Sequence, residues 1–386
     1  MAFALVAGCG LFAAPPASGL LVHQAVDGLV QIHWFFGVDT GTMDGTYATS
    51  SQLGRGTLHI STSANFGGSI NTVLVRSDGM RMTGREAPDV NGFPNLVVNL
   101  TGTADIESAS LTLTQVGGTH LQVGSGDAVF HLQGSIDVRR WLGYAMVDVD
   151  GNVSAFGSMG HLGRAPSGSV AGVARTPDPK GYWIVNRTGQ VYALGDARPH
   201  GGLRSNTLTR GENVTSIAST QTGDGYWLFT TSGRVFTFGD ATPYGDLHNR
   251  RLAAPIVGAA ATTTGKGYYM VGADGGVFTF GDAQFHGSTG AMKLNQPVVG
   301  IVPTKSNNGY WLVAADGGVF SFNAPFRGSM GAAHLNRPIV TMAAYADGYL
   351  MVGSDGGVFD FSEGAFFGSL SGSPTHANVV GATAIG

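Results

Sequence analysis

A phrase that begins with Gly-Tyr recurs six times in the second part of the chain, and it constrains the fold more than any other feature. The copies begin at Gly143, Gly181, Gly225, Gly267, Gly309 and Gly348. They lie 38 to 44 residues apart. Repeats of roughly 40–45 residues are typical of the blades of β-propellers, whereas solenoid repeats are shorter. The sequence therefore predicts a radial array with one small sheet per copy.

The copy around Gly309 divides into short strands. "PVVGIVPT" (Pro297–Thr304) is a β-branched apolar run that predicts an innermost strand, and "GYWLVAAD" predicts a second strand covered on both faces. Asp316-Gly317 predicts a type I′ hairpin turn. "GVFSF" follows as a third strand, and a short fourth piece ends in "FRGS". We therefore expect a four-stranded sheet from each copy.

The two ends of the array predict how it is completed. The chain finishes with "NVVGATAIG" (Asn378–Gly386), an innermost-strand pattern with no copy after it. The first copy has no such strand before it. Pairing of the last strand with the first sheet would leave no open edge, whereas an open array would carry polar capping units. Residues 139–386 are therefore predicted to form a six-bladed β-propeller closed by the C-terminal strand.

Residues 28–138 show strand-like runs without an internal repeat. Leu111 and Leu113 alternate with Thr112 and Thr114, which predicts a strand with one buried and one wet face. The run His33–Phe36 is predicted to belong to the core. No segment predicts a helix. The predicted fold class is all-β, with an N-terminal β-barrel or sandwich of seven to nine strands followed by the propeller.

Residues 1–27 form an apolar N-terminal arm with three interpretations. The apolar run followed by Pro and small residues is typical of an export signal. "VAGC" also resembles a lipobox, in which Cys9 would be lipidated, and a buried apolar arm is the third possibility. No Lys or Arg precedes the run, which weakens both targeting interpretations. Cys9 is the only cysteine, so no intrachain disulfide can form.

The composition excludes two classes of partner. Charged residues make up 12% of the chain, the net charge is -4, and no stripe of Lys or Arg occurs. Nucleic-acid binding depends on clustered basic residues, so no nucleic acid is expected. No run of 18 or more apolar residues occurs, so no transmembrane helix is expected.

The motifs predict no catalytic residue and no cofactor. "GSMGH" (Gly157–His161) lacks the first glycine of a G-x-S-x-G nucleophile elbow. The eleven histidines are scattered, without an H-E-x-x-H motif. Asp148, Asp150 and Asn152 have the oxygen spacing of a calcium loop, but no bidentate Glu follows. We interpret that stretch as a hairpin turn, with calcium as the weaker alternative.

One position varies from copy to copy and is the candidate binding rim. It precedes the glycine of the "xGS" element, where framework residues should be alike. The first copy has Leu162 there, and the candidate binding residues of the others are His200, Tyr244, His286, Arg327 and Phe367. By contrast, the tyrosine of each Gly-Tyr pair and the Asp of "FGDA" recur, which indicates structural roles.

These motifs resemble a family of secreted actinobacterial-type proteins, whose C-terminal repeats read GYW(L)V–xxDGGVFxFGDAxFxGS and are described as WD40- or kelch-like propeller repeats. The resemblance covers Trp141 to Gly386. It implies an accessory module attached to envelope-associated or cell-wall-acting proteins, some of which carry the label esterase. The copy at Gly181 departs from the pattern at Asn186-Arg187-Thr188, and the first copy lacks "GDA" after Phe156.

The expected function is therefore that of a non-enzymatic, secreted or cell-surface binding or structural protein. The propeller would be a display platform for a cell-wall glycan or an envelope protein, and the N-terminal domain could support a homo-oligomer. One alternative is a subunit of a surface or virion assembly. Another is an esterase- or glycosidase-like hydrolase in the propeller channel, which requires a non-repeated acid–base set there.

Overall fold

The structure is a computed structural model. It describes residues 20–37, 41–49, 55–62, 70–76, 85–86, 96–101, 106–119, 124–166, 168–177, 180–371 and 378–386. Cys9 and the first part of the apolar arm lie outside these residues. The described chain is all-β, as predicted, and contains no helix. It divides into two compact units, a first unit ending at Arg140 and a repeat unit, Trp141–Gly386.

The first unit has eight strands in its described residues. They are β1 (Leu20–Phe36), β2 (Gly41–Thr49), β3 (Arg55–Thr62), β4 (Ile70–Arg76), β5 (Arg85–Glu86), β6 (Leu96–Thr101), β7 (Ile106–Gly118) and β8 (Gly124–Arg140). All pair antiparallel in one sheet of order β5-β4-β7-β8-β1-β2-β3-β6. Strand β1 begins at Leu20, inside the stretch predicted to be the N-terminal arm.

This single sheet differs from the predicted barrel or sandwich. A sandwich needs two sheets, and a barrel needs pairing between the end strands β5 and β6, which is not found among the described residues. The alternation of apolar and polar residues shows only that one face is covered, and every one of these architectures covers one face. The sequence pattern could not distinguish them.

The buried face of this sheet forms its own core. Val30, Ile32, Trp34 and Phe36 of β1 are at most 2% exposed and belong to one apolar cluster with side chains of β2, β3, β7 and β8. The prediction that the whole run His33–Phe36 is core was wrong at alternate residues. Successive side chains of a strand point to opposite faces, so His33 and Phe35 lie on the exposed face.

The repeat unit consists of inner, middle and third strands. The inner strands are β26 (Val379–Ile385), β11 (Val170–Arg175), β14 (Val214–Ser219), β17 (Ile256–Ala261), β20 (Val298–Pro303) and β23 (Ile339–Tyr345). The middle strands are β9 (Gly143–Asp148), β12 (Gly181–Asn186), β15 (Gly225–Thr230), β18 (Gly267–Gly272), β21 (Tyr310–Ala314) and β24 (Gly348–Gly353). The third strands are β10 (Val153–Gly157), β13 (Val191–Gly195), β16 (Val235–Gly239), β19 (Val277–Gly281), β22 (Val319–Phe322) and β25 (Val358–Phe361).

These strands form six open, antiparallel three-stranded sheets, numbered here 1 to 6 from β9 to β24 by their middle strands. Sheets 2 to 6 each take an inner strand that immediately precedes the middle strand. Sheet 1 takes β26, whose Thr383 is the register partner of Ala145 in β9. Each inner strand contacts the next, and β26 contacts both β23 and β11.

The predicted fourth strand is absent from the described sheets. The residues after each third strand, called here the outer segment, form no ladder. In sheet 4 this segment contains Gly287 at φ 129°, where a Cβ would lie 2.6 Å from Phe322 Cδ1 of sheet 5. The segment therefore leaves the strand direction and packs against the next sheet.

The hairpin turns also differ from the predicted type I′. A type I′ turn needs positive φ at both central residues. Gly275 has φ 78°, but Asp274 is not in the positive region. The Gly275 N–H donates to Gly272 O at 2.8 Å, and Asp274 Oδ1 accepts the Gly276 N–H at 3.0 Å. This pattern matches the three-residue loop in which a type I turn precedes a left-handed glycine.

Candidate functional site

Each tyrosine of the Gly-Tyr pairs connects its own sheet to the preceding one. Its hydroxyl donates to a glycine carbonyl in the outer segment of that neighbour. The bonds are Tyr144 to Gly368 (2.6 Å), Tyr182 to Gly160 (2.7 Å), Tyr226 to Gly201 (2.5 Å), Tyr268 to Gly245 (2.5 Å), Tyr310 to Gly287 (2.6 Å) and Tyr349 to Gly328 (2.6 Å). The bond of Tyr144 joins sheet 1 to sheet 6. These tyrosines therefore belong to the structural framework of the repeat unit, called here the frame.

Burial keeps these hydroxyls protonated. It raises the pKa of Tyr182, and it raises the pKa of Tyr226 to about 12 despite the hydrogen bond at His200. The pKa values of the other four are raised as well, with burial as the largest cause. A tyrosine that stays protonated remains a hydrogen-bond donor, so the six connections persist across the physiological pH range.

Tryptophans hold the outer segments within their own sheets. Trp183 Nε1 donates to Arg198 O, and Trp227 Nε1 donates to Thr242 O, both at 2.8 Å. Trp311 makes the same bond to Pro325 O at 2.8 Å. Sheet 6 has Leu350 in place of tryptophan, and there the Tyr345 hydroxyl donates to Ala365 O at 2.7 Å. The equivalent backbone carbonyl of the outer segment thus accepts a hydrogen bond from a tryptophan in sheets 2, 3 and 5 and from a tyrosine in sheet 6.

The candidate rim residues lie at successive junctions between sheets and do not converge on one pocket. The His200 ring lies 5.8 Å from the Tyr226 ring, and the Tyr244 ring lies 5.8 Å from the Tyr268 ring. The centre of the His286 ring likewise lies 6.0 Å from the centre of the Tyr310 ring. These three side chains are half-buried against the next sheet.

The last two candidates are more accessible. An Arg327 guanidinium nitrogen (Nη2) lies 2.5 Å from Asp347 Oδ2, and Nη1 lies 3.9 Å from Glu363 Oε1. Phe367 is 40% exposed, and its ring lies 6.4 Å from that of Tyr144. The variable position therefore contributes to each junction while exposing part of its side chain in sheets 5 and 6.

The neighbouring position presents exposed aromatic rings that the sequence analysis missed. Phe285, Phe326 and Phe366 directly precede the candidate rim residues of sheets 4, 5 and 6, and are 58%, 63% and 56% exposed. Sheets 2 and 3 carry Pro199 and Pro243 there. Three successive sheets thus expose a ring at an equivalent position, called here the aromatic arc. Aligning the copies at this column could have revealed it.

In the candidate calcium loop, both carboxylate oxygens of Asp148 accept hydrogen bonds from residues of the same loop. Asp148 Oδ1 accepts the N–H groups of Asp150 and Asn152 at 3.0 and 2.9 Å. Its Oδ2 accepts the Asn152 side-chain amide at 2.7 Å. Among the described residues, no group of three or more His, Cys, Asp or Glu is placed to hold a metal ion.

A cavity of about 550 Å³ is lined by residues of the inner strands and of the loops that follow them. Its lining is mostly Ala, Val, Ile and Thr, and its charged members are Arg175 and Lys305. Within the described lining there is no Asp, Glu or His. Arg175 donates from Nε to Ala384 O at 2.8 Å, and from Nη1 to Pro177 O at 2.7 Å. Its guanidinium therefore ties β11 to β26.

A buried carboxylate replaces the usual hairpin acid in sheet 3. Burial alone would raise the pKa of Glu212, but hydrogen bonds from Ser232, Thr230 and Thr209 outweigh it and lower the pKa to about 2. Arg234 Nη1 also donates to Glu212 Oε2 at 2.9 Å. The hairpin here reads Ser232-Gly233 instead of Asp-Gly. Glu212 thus serves the turn of its own sheet.

Comparison with known proteins adds distant structural similarities. No family model and no curated protein sequence matches the chain. The β-propeller domain of Cps50 (Swd1) from Myceliophteria thermophila is similar over 60% of this chain and 83% of its own, with 12% identity and a TM-score of 0.40. The WD40 β-propeller domain of Doa1 is similar over 57% and 75%, with 12% identity and a TM-score of 0.38.

A protein of unknown function from Bacteroides thetaiotaomicron is similar over 79% of this chain and 80% of its own, with 11% identity and a TM-score of 0.41. In the described part of the chain, no helix has the length and apolar character to cross a membrane.

Proposed function

We propose that the repeat unit is a closed six-bladed β-propeller that works as a non-enzymatic binding platform. Closure is supported by the pairing of β26 with β9. It is also supported by the hydrogen bond from Tyr144 to Gly368, which joins sheet 1 to sheet 6 in the same way as the other five tyrosines join consecutive sheets. The inner strands contact one another in sequence from β26 round to β23, and β23 contacts β26.

The observation that carries the binding role is the aromatic arc beside the variable rim position. Phe285, Phe326 and Phe366 are each more than half exposed, and exposure of a large aromatic ring does not stabilise the fold. Next to the arc stand Arg327, with two carboxylates in reach, and Phe367. Aromatic residues, Phe among them, and Arg are enriched in protein–protein interfaces relative to the rest of the surface.

The partner class is an envelope carbohydrate or an envelope protein, and the protein is secreted or held at the cell surface. This part of the proposal is supported by the repeat motif and the apolar N-terminal sequence. Assembly through the first unit, or into a surface or virion structure, would place several such platforms side by side.

The channel gives no support to the hydrolase hypothesis. A hydrolase in the channel needs a converging acid and base. The described lining offers neither a carboxylate nor an imidazole, and Arg175 is held by backbone carbonyls. We therefore place the binding function on the outer surface of the propeller.

The test is retention of the full-length protein on insoluble polysaccharides and on isolated cell envelopes. The arc variant replaces Phe285, Phe326 and Phe366 by Ala. The expected result is retention of the unaltered protein and at least tenfold weaker retention of the arc variant. The control is Met292→Ala, which removes an equally exposed apolar side chain (58%) outside the repeated position.

Equal retention of the arc variant and the control would overturn the role of the arc. No retention of the unaltered protein on any of these materials would overturn the proposed function.

A further inference from the structure

Four side chains form one row across the exposed face of the first unit's sheet. Asp127 of β8 is the register partner of His33 in β1. His33 is also the partner of Asp44 in β2, and Asp44 is the partner of His59 in β3. This Asp–His row alternates carboxylate and imidazole over four neighbouring strands, although its members are distant in sequence.

The row is ordered by hydrogen bonds between its members. His33 Nδ1 donates to Asp127 Oδ1 at 2.9 Å, and His59 Nδ1 donates to Asp44 Oδ1. A ring that donates from Nδ1 keeps Nε2 for another partner, and each carboxylate retains further acceptor positions. The side chains of His33 and Asp127 are 64% and 87% exposed. The row therefore presents both donors and acceptors to solvent.

A groove of about 800 Å³ is lined by the Asp–His row and by the next row of side chains on the same face. The second row contains Gln31, Thr46 and Thr57, which are register partners across β1, β2 and β3. Two residues along a strand span about 7 Å, so the two rows run side by side across the strands at that backbone spacing. This transverse groove therefore crosses the strands, and hydrogen-bonding groups of both rows line it at β1, β2 and β3, while the second row at β8 is the apolar Val129.

The chemistry of the walls selects among ligand classes. Gln and Thr both donate and accept, as hydroxyl-rich ligands require. A peptide that binds by strand addition needs a sheet edge, whereas this groove lies on a face. The carboxylates of the groove already accept from imidazoles, and no metal-binding group of three occurs among the described residues.

We propose that the transverse groove binds a linear oligosaccharide lying across β8, β1, β2 and β3. Neighbouring strands are about 4.8 Å apart, close to the length of one hexose in an extended chain, so each strand meets about one sugar. Phe35 lies on the same face two residues beyond His33, outside the groove lining, and its side chain is 56% exposed.

This inference rests on the proposed carbohydrate class but places a glycan site on the first unit. The probes are cellotetraose, chitotetraose, xylotetraose and mannotetraose, with the matching disaccharides, titrated calorimetrically into the full-length protein. At least one tetrasaccharide is expected to bind, and its disaccharide at least tenfold more weakly, because it covers only half of the groove.

The groove variant carries Asp44→Asn and Asp127→Asn, and we expect it to lose at least tenfold in affinity for that tetrasaccharide. The matched control carries Asp27→Asn and His131→Gln. These two residues form the same kind of pair on the same face, at 2.8 Å, outside the groove lining. The control is expected to keep its affinity. Melting temperatures of both variants establish that each is folded.

Three results would overturn the inference. They are no binding of any tetrasaccharide, an equal loss of affinity in the groove variant and the control variant, and displacement of the bound tetrasaccharide by the polycation spermine alone. The arc variant separates this inference from the proposed function. Binding lost in the groove variant and kept in the arc variant supports the groove, and the retention assay then decides separately on the propeller platform. The reverse pattern supports the platform and overturns the groove.

Discussion

The two units use their polar and aromatic groups in opposite ways. In the repeat unit, the tyrosine of every copy is buried and bonds to a carbonyl of the neighbouring sheet, as Tyr310 does with Gly287. In the first unit, His33 and Asp44 belong to no sequence repeat and stand on an exposed face. A repeated polar side chain that is buried therefore belongs to the framework, whereas exposure, in a repeated ring or in a non-repeated row, indicates where a ligand can be recognised.

The largest expected effect comes from removing residues 379–386. The deletion takes away β26, and with it the inner strand of sheet 1 and the acceptor of Arg175. We expect the melting temperature of the repeat unit to fall by about 10 °C or more, because several kcal/mol of packing and ladder bonds are lost together. Calorimetry measures this change, and a fall smaller than that caused by Tyr144→Phe would contradict it.

A smaller effect is expected from Glu212→Gln. The folded-state pKa of Glu212 is about 2, below its ordinary value of 4.5, so its carboxylate stabilises the fold above about pH 4.5 and loses that contribution as the pH falls toward 2. We expect a loss of roughly 3 kcal/mol at pH 7 that falls to about 1 kcal/mol at pH 2.5. Urea denaturation at pH 7, 4 and 2.5 measures it, and a loss independent of pH would contradict this assignment.

Tyr144→Phe tests whether the ends of the array are joined like its interior. The substitution removes the donor to Gly368 O and is expected to destabilise the repeat unit by about 1 kcal/mol. A unit of this size would then melt about 2–4 °C lower. The matched variant is Tyr310→Phe, in the interior of the array, and we expect the same change. No effect of Tyr144→Phe beside a clear effect of Tyr310→Phe would show that the ends are not joined.

The smallest effect on stability is expected from the arc variant. Phe285, Phe326 and Phe366 are more than half exposed, and each substitution by Ala should change the free energy of unfolding by less than about 0.5 kcal/mol. Thermal unfolding measures this change. A loss of several kcal/mol would mean that the rings belong to the frame and not to a binding surface.

Local patterns predicted much of the repeat unit. The Gly-Tyr spacing located the middle strands, and "NVVGATAIG" was recognised as a strand that became β26. The partner of each tyrosine hydroxyl was not predictable, because the repeat shows a constant side chain but not the carbonyl opposite it. The outer segment was mistaken for a strand, since its departure depends on packing against the following sheet at positions such as Gly287.

The first unit was harder to predict because its site is assembled by strand register. His33 and Asp127 are 94 residues apart, and they meet only because β1 pairs with β8 along its whole length. Alternation alone could have placed His33 and Phe35 opposite Trp34 and Phe36. The treatment of that run as uniform core obscured the exposed face.

Hydrogen–deuterium exchange of residues 379–385 tests the proposed closure of the repeat unit most directly. These amides belong to a strand paired with β9, so they should exchange as slowly as those of the interior inner strand β17. If residues 379–385 exchange within seconds under native conditions while β17 exchanges slowly, the proposed closure of the repeat unit is contradicted.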